Sequence, residues 1–281
     1  MNNHAHIISE KPGVSLRFLF HYLQTVDITN LVHGNIPKLT GGDFKSLSIP
    51  VPPKEVQDEI VRILDSFTEL TAELTAELTA RKKQYEYYRT KLMSFDKLEG
   101  GEIRYEKLSL TNKLLRGRRL TTRDLVVDGK YAVFHGGTKP IGHYNDYNRK
   151  GDTVMIINVG ASAGTVGFSK DDFWSSDGCF CLEHSDKYLN RFLYHYLCSK
   201  QDYLVSKVRK AGIPTLDNSV VENIMVPVVP LSTQKEISDY LDEFDKLCTD
   251  LSDGIPAEIT ARQKQYEYYR DKLLTFKELK A

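Results

Sequence analysis

From residue 54 onward the chain carries one long amphipathic pattern. After Pro50-Val51-Pro52-Pro53, apolar residues recur at Ile60, Leu64, Phe67, Leu70, Leu74, Leu78, Tyr85, Tyr88, Leu92 and Phe95. Steps of three and four place them on one stripe of a helix. Neither Gly nor Pro occurs from Glu55 to Phe95, so the pattern predicts an unbroken helix of about 60 Å. So long a stripe needs a partner helix, and the C-terminal segment offers one with Ile237, Leu241, Phe244, Leu247, Leu251, Ile259, Tyr266, Tyr269, Leu273 and Phe276. There Asp253-Gly254-Ile255-Pro256 supplies a Gly stop and a Pro start, which predicts two helices joined by a tight turn. We expect an antiparallel coiled coil packed through Leu64, Phe67, Leu74, Leu78, Tyr85, Tyr88, Leu241, Phe244, Tyr266 and Tyr269. Such a rod would hold two other parts at a fixed separation.

Between 99 and 230 the texture changes to short apolar runs divided by turn residues. Leu125-Val126-Val127, Tyr131–Phe134, Thr153–Val159 and Thr165–Phe168 read as strands, with turns at Asp128-Gly129, Gly136-Gly137 and Gly160-Ala161. A helix over about 190–208 and a short helical turn near 218–223 follow. The fold class is therefore α/β: a mixed domain plus long helical arms.

The chain also repeats itself. TARKKQYEYYR at 79–89 returns as TARQKQYEYYR at 260–270, a shift of 181. IPVPPKEVQDEI at 49–60 matches VPVVPLSTQKEI at 226–237, a shift of 177, with Leu64 on Leu241 and Phe67 on Phe244. The tandem TAEL at 71–78 falls where the second arm has its turn, and one such unit adds about 6 Å of helix. RFLFHYL at 17–23 matches RFLYHYL at 191–197, and the Ile-Pro pairs of GNIP (34–37) and AGIP (211–214) align. The duplication spans about 14–95 and 189–276. The stretch 98–188 has no counterpart ahead of Val14, so the first copy reads as the tail of a unit.

Composition narrows the class. With 41% hydrophobic and 27% charged residues and a mean hydropathy of −0.39, the chain is neither disordered nor membrane-like. No apolar run nears the roughly 20 residues that span a bilayer, and the start lacks a secretory core, so a cytoplasmic, non-membrane protein is expected. Four irregularly spaced cysteines (Cys179, Cys181, Cys198, Cys248) make no disulfide framework.

The 38 basic and 38 acidic residues cancel overall but not locally. From Lys113 to Lys150 nine basic residues face three acidic ones, whereas Lys54 to Glu99 holds ten acidic and eight basic. Basic, Gly-rich loops interleaved with His, Asn and Tyr suit phosphates and base edges. The candidate DNA contacts are Arg116, Arg118, Arg119, Lys139, Arg149, Lys207, Arg209 and Lys210; a merely solvated basic face is the bland alternative. No Walker loop, amino-methyltransferase motif or nucleophile triad occurs, and GASAGTVG at 160–167 reads as a turn between two strands. Cys179, Cys181 and His184 lack the second CxxC of a metal site, and buried structural thiols are expected.

The Pro-rich joint followed by Gln-x-Glu-Ile, the long helix, and GIPAEITARQKQYEYYRDKLL at 254–274 resemble the conserved regions of the specificity (S) subunit of type I restriction-modification systems. The resemblance covers nearly the whole chain. It implies recognition domains that alternate with helical regions, each domain reading half of a bipartite site in double-stranded DNA. It implies a non-catalytic chain whose helices set the gap and dock methyltransferase (M) subunits, with restriction/translocase (R) subunits cleaving unmodified DNA. S-adenosylmethionine, ATP and magnesium are expected on those partners and no cofactor in this chain. The resulting layout is a recognition-domain remnant at 1–53, a spacer helix at 54–98, a complete recognition domain at 99–230 and a distal helical region at 231–281. A homodimer through the arms is a further expectation. The competing expectation is a non-reading assembly or regulatory chain, or a silent recombination cassette, that binds only M.

Overall fold

The computed structural model describes residues 6–9, 11–33, 38–95, 103–250 and 252–276. In chain order the first elements are α1 (Leu16–Leu23), β1 (Val32–His33), β2 (Lys38–Leu39), α2 (Gly41–Lys45) and α3 (Lys54–Ser94). Then come β3 (Tyr105–Lys107), β4 (Leu114–Arg116), β5 (Tyr131–Phe134), β6 (Gly142–Tyr144), β7 (Thr153–Ile157), β8 (Val166–Ser169), β9 (Phe173–Ser175) and β10 (Cys179–Leu182). The chain closes with α4 (Asn190–Ser199), α5 (Gln201–Ser206), α6 (Asn218–Glu222), β11 (Met225–Pro227), α7 (Leu231–Thr249) and α8 (Ile255–Leu273). Two compact units result: unit 1 comprises Met1–Ala80 with Leu247–Ala281, and unit 2 comprises Arg81–Lys246.

The two arms are helical over the stretches that the pattern predicts. α3 runs unbroken for 41 residues through both TAEL repeats. Their threonines do not disturb it, because the Thr71, Thr75 and Thr79 hydroxyls each donate to the carbonyl four residues earlier. α7 and α8 are separated by the turn at Asp250–Gly254, where Asp250 accepts from the Ser252 amide and hydroxyl, and Pro256 opens the next helix.

In unit 2 the main sheet has the order β4-β10-β7-β8, antiparallel throughout. β7 is buried at all five positions, and alternation explains why its run is so apolar. Val154 and Ile156, with Phe180 and Leu182 of β10, face the core that holds Phe192, Leu193, Tyr196 and Leu197 of α4. Met155 and Ile157, with Cys179 and Cys181, face a second core holding Phe134 and Phe173 of the smaller sheet β6-β5-β9. A strand buried on both faces reads as a continuous hydrophobic run. Each fully buried side chain of this kind contributes roughly 1.5–3 kcal/mol. Cys179, Cys181, Cys198 and Cys248 are all buried thiols, as expected.

Two readings fail locally. Leu125–Val127 is not a strand: Asp124 caps the preceding 3-10 turn through the Thr121 amide and hydroxyl, Gly129 closes a turn onto Val126, and Val127 is 96% exposed. The helix over 190–208 breaks at Lys200 into α4 and α5, and the break lets Gln201 accept from the Val166 amide at the start of β8.

The duplication is visible as repeated chemistry. In unit 1, Gln57 accepts from the Ser15 amide and donates to the Gly13 and Pro52 carbonyls, at 2.8 Å each. In unit 2, Gln234 accepts from the Leu189 amide and donates to the Lys187 and Val229 carbonyls, at 2.8, 3.0 and 2.9 Å. Both amides are fully buried, so this glutamine locks the Pro-rich joint to the segment that leads into the helix before it. Beside it lies a second repeated cluster. Asp65 accepts from Arg17 Nε (2.7 Å) and His21 Nε2 (2.8 Å), and His21 Nδ1 is 3.0 Å from the Tyr266 hydroxyl. Asp242 accepts from Arg191 Nε (2.6 Å) and His195 Nε2 (2.6 Å), and His195 Nδ1 is 3.3 Å from the Tyr85 hydroxyl. Burial pushes both imidazoles below the ordinary histidine range, against the upward pull of their aspartates. Burial acts to raise both carboxyls, but the hydrogen bonds from arginine and histidine outweigh it and hold them low.

The stripe residues take part in these units as follows. Leu64 is buried with Phe18, Ile60 and Leu274, and Phe67 stacks on Tyr269 at 5.4 Å, all in unit 1. Leu74 and Leu78 are half-buried. In unit 2, Leu241 and Tyr85 lie in the main core, and Tyr88 meets Phe244 and Tyr240 at 5.9 and 6.5 Å.

Candidate nucleic-acid interface

The basic segment after β4 is held rigidly by the main chain. Arg116 ends that edge strand, paired with Phe180. Gly117 then passes so close to the Ser175 and Ser176 carbonyls that a Cβ would sit 1.9 Å from the Ser176 oxygen. Beyond it the Arg118 amide donates to the Ser175 carbonyl (2.9 Å), and Trp174 Nε1 donates to the Arg118 carbonyl (2.8 Å). With the backbone fixed at both ends, the side chains of Arg116, Arg118 and Arg119 are all exposed.

Arg149 plays a different part from the one its charge suggests. Its guanidinium donates to the Arg116 carbonyl (2.7 Å) and the Asn148 carbonyl (2.6 Å), and it is only half-exposed. Asn148 in turn exchanges two hydrogen bonds with the Ser175 backbone, at 2.7 and 2.9 Å. Arg149 thus positions the Arg116–Arg119 ribbon.

The second basic cluster lies on a tight loop after α5. Arg209 and Thr215 exchange backbone hydrogen bonds (2.9 and 3.0 Å), with Gly212 at φ +78° between them. Lys207, Arg209 and Lys210 are exposed, and Arg209 makes a solvent-facing contact with Asp217 at 3.3 Å. Exposed pairs of this kind hold little energy, so the guanidinium is free to exchange partners. Two bonds tie this loop to the end of β7: Gly160 N to the Pro214 carbonyl and Leu216 N to the Asn158 carbonyl.

That tie creates a cleft of about 320 Å³ which unites the two clusters: Arg116 and Arg209 both line it, with Asn218, Asp217 and Asn158. Asn158 is 3% exposed and its Oδ1 has no hydrogen-bond partner. A buried amide oxygen left unpaired costs about 1–3 kcal/mol, so such a group calls for a donor. The cleft offers guanidinium donors and an amide that can address both donor and acceptor atoms. Lys139 sits apart from it, on the β5–β6 connection. The sequence singled out the arginines but missed Asn158; its one signal is an amide at the end of an apolar strand run. Among the described residues no group of three or more His, Cys, Asp or Glu could hold a metal ion, and no helix is long and apolar enough to cross a membrane.

Comparison with known proteins gives this arrangement a context. Residues 1–81 and 109–261 match the family described as type I restriction modification DNA specificity domain. The specificity subunit of the Escherichia coli type I restriction enzyme EcoR124I/EcoR124II is 30% identical over 93% of this chain and 71% of its own length. A provisionally assigned type I restriction enzyme specificity subunit of Haemophilus influenzae is 32% identical over 98% of this chain and 76% of its own. In fold, the crystal structure of a type I restriction-modification S subunit from M. genitalium superposes with a TM-score of 0.69 at 20% identity, covering 95% of this chain and 74% of that one. The family match takes in most of the sequence: the chain belongs to the type I restriction-modification DNA specificity family.

Proposed function

We propose that this chain is the DNA-specificity subunit of a type I restriction-modification complex, a non-catalytic reader that directs adenine methylation and DNA cleavage by its partners. Its family carries the reading at the level of the whole chain. At the level of residues, the supporting observation is the Arg116–Arg119 ribbon, pinned by Arg149 and Asn148 and joined to Arg209 across one cleft. Arg118, Arg119, Lys207 and Lys210 neutralise phosphates, while Arg116, Arg209 and Asn158 address base edges. Residues 99–230 form the reading domain, with 1–53 belonging to a second one. The segments 54–98 and 231–281 present the helical surfaces that methyltransferase subunits grip, with restriction/translocase subunits joining that complex. S-adenosylmethionine, ATP and magnesium act on those partners, in the cytoplasm. Two chains pair through their arms to read a symmetric bipartite site, and light scattering that finds only monomers, with and without methyltransferase, overturns that pairing.

The deciding experiment sequences methylated adenines in cells that produce this chain with its methyltransferase. A single bipartite motif is expected; methylation without a motif overturns the reading. In purified complexes the slope of log affinity against log salt should flatten by about 1 for each phosphate contact removed, as in Arg118→Ala or Lys207→Ala. Substitution of Asn158 should instead change the motif.

A further inference from the structure

From Phe173 to Leu182 every residue is buried except Asp177, whose side chain is 36% exposed. This carboxylate stands at the tip of the turn between β9 and β10, and three hydrogen bonds fix that turn. The Ser176 amide donates to the Phe134 carbonyl at the end of β5 (3.0 Å). The Leu120 amide, next after Arg118 and Arg119, donates to Ser176 Oγ (3.2 Å). The Asn158 amide donates to the Gly178 carbonyl (3.2 Å). Asp177 is therefore flanked by one residue bonded to the basic ribbon and one bonded to the floor of the cleft. The turn has no room to shift, because a Cβ on Gly178 would stand 2.9 Å from the Gly136 nitrogen, His135 Nδ1 and Val159 Cγ1. The carboxylate itself is held from the side: Ser176 Oγ donates to Oδ1 (3.2 Å), and His135 Nδ1 lies 3.3 Å from the same oxygen. Asp124, Asp146 and Asp172 are taken up by the amides of Thr121, Tyr147 and Gly151. Asp177 instead keeps Oδ2 to accept from a ligand.

We propose that Asp177 is a specificity-determining residue, which accepts from the N4 amino group of a cytosine and so requires a C·G pair at one position of the DNA site. The inference rests on the DNA-specificity reading of the chain given above. A carboxylate fixed beside Arg116, Arg118 and Arg119 repels phosphate and weakens binding to every sequence alike. What offsets that cost is an amine on a base. In the major groove only cytosine N4 and adenine N6 donate, whereas guanine O6 and N7 and thymine O4 are acceptors that a carboxylate rejects. Adenine N6 lies beside the acceptor N7, but cytosine N4 lies beside a C–H, so a lone carboxylate favours cytosine. The guanine of the same pair presents O6 and N7 to the ribbon's guanidinium groups, which complement them. Because the turn is already rigid and the carboxylate already oriented, contact with the base carries little ordering cost.

The test uses the full chain with its methyltransferase subunit and compares the unaltered chain with Asp177→Asn and Asp177→Ala by sequencing methylated adenines in cells. The unaltered chain should give a motif with a required C·G pair, and in both variants that one position should become degenerate while the others stay. With purified complexes at one salt concentration, exchanging that pair for T·A in a synthetic duplex should cost the unaltered chain about tenfold in affinity and the variants less than about twofold. A motif that contains no required C·G pair overturns the assignment on the unaltered chain alone, whatever the variants do. Variants that keep the full motif, or that bind every duplex more tightly by the same factor, also overturn it, because Asp177 would then only repel phosphate. Methylation by the unaltered chain without any motif overturns the underlying DNA-specificity reading and this assignment together, whereas a motif that the variants leave intact overturns the assignment alone.

Discussion

Units 1 and 2 use the same corner of protein to different degrees. Each has a glutamine that clamps a Pro-rich joint, a buried histidine between an aspartate and a tyrosine, and a helix of nearly the same sequence. In unit 2 that helix is the floor of a sheet core; in unit 1 its outer face lines an open cavity. The comparison teaches that the polar corner, rather than the sheet, sets the orientation of the helix. Directional hydrogen bonds specify a geometry that apolar burial then reinforces.

Several substitutions should break or sharpen this contrast. The largest difference is expected from Leu197→Ala against Leu23→Ala. The first opens a cavity in a closed core and should cost about 2–5 kcal/mol, whereas the second faces an open cavity and should cost under about 1 kcal/mol. Denaturant unfolding with unit-resolved hydrogen exchange measures both, and equal losses would mean that the two faces are equally covered. Gln57→Ala and Gln234→Ala should instead behave alike, each losing about 2–3 kcal/mol, because each removes three hydrogen bonds between a buried amide and the backbone.

The histidine clusters sharpen the comparison through pH. His21 and His195 have folded values below the unfolded one, so the unfolded chain binds protons more readily. Their contribution is complete above about pH 6.5 and is lost as pH falls from there towards the folded values. The melting temperature should therefore drop between pH 7 and pH 5.5. His195→Gln should flatten that dependence for unit 2 amides only, and His21→Gln for unit 1 amides only. The smallest stability effect is expected at Arg149→Lys. A lysine cannot bond both the Asn148 and Arg116 carbonyls in the same fork, so stability should change by about 1 kcal/mol while DNA affinity falls more than the unchanged charge would suggest.

The helical architecture was legible because its signals are local and periodic: the stripe from Ile60 to Phe95, the Gly254–Pro256 restart, and the apolar runs of β5, β7 and β8. Edge strands such as β4 and β11 escaped, since three residues carry too little alternation to stand out. Leu125–Val127 had the right composition but no ladder on either side. The basic ribbon could be found by charge, but the role of Arg149 could not, because whether a guanidinium meets solvent or a carbonyl depends on contacts 33 residues away. The His–Asp–Tyr clusters were within reach. A shift of 174 aligns Arg17 with Arg191 and His21 with His195, and the stripe's shift of 177 aligns Asp65 with Asp242; polar residues repeated inside an apolar pattern mark a shared buried network.

The double burial of β7 and β10 restricts where new target preferences can be engineered. Every apolar side chain on those strands is committed to one core or the other, so a variant library placed there would mostly return unfolded protein. Diversity confined to Arg118, Arg119, Lys207, Arg209, Lys210 and Ile213 samples exposed positions of the two basic connections while leaving both cores untouched. Such a library should keep most of its members folded.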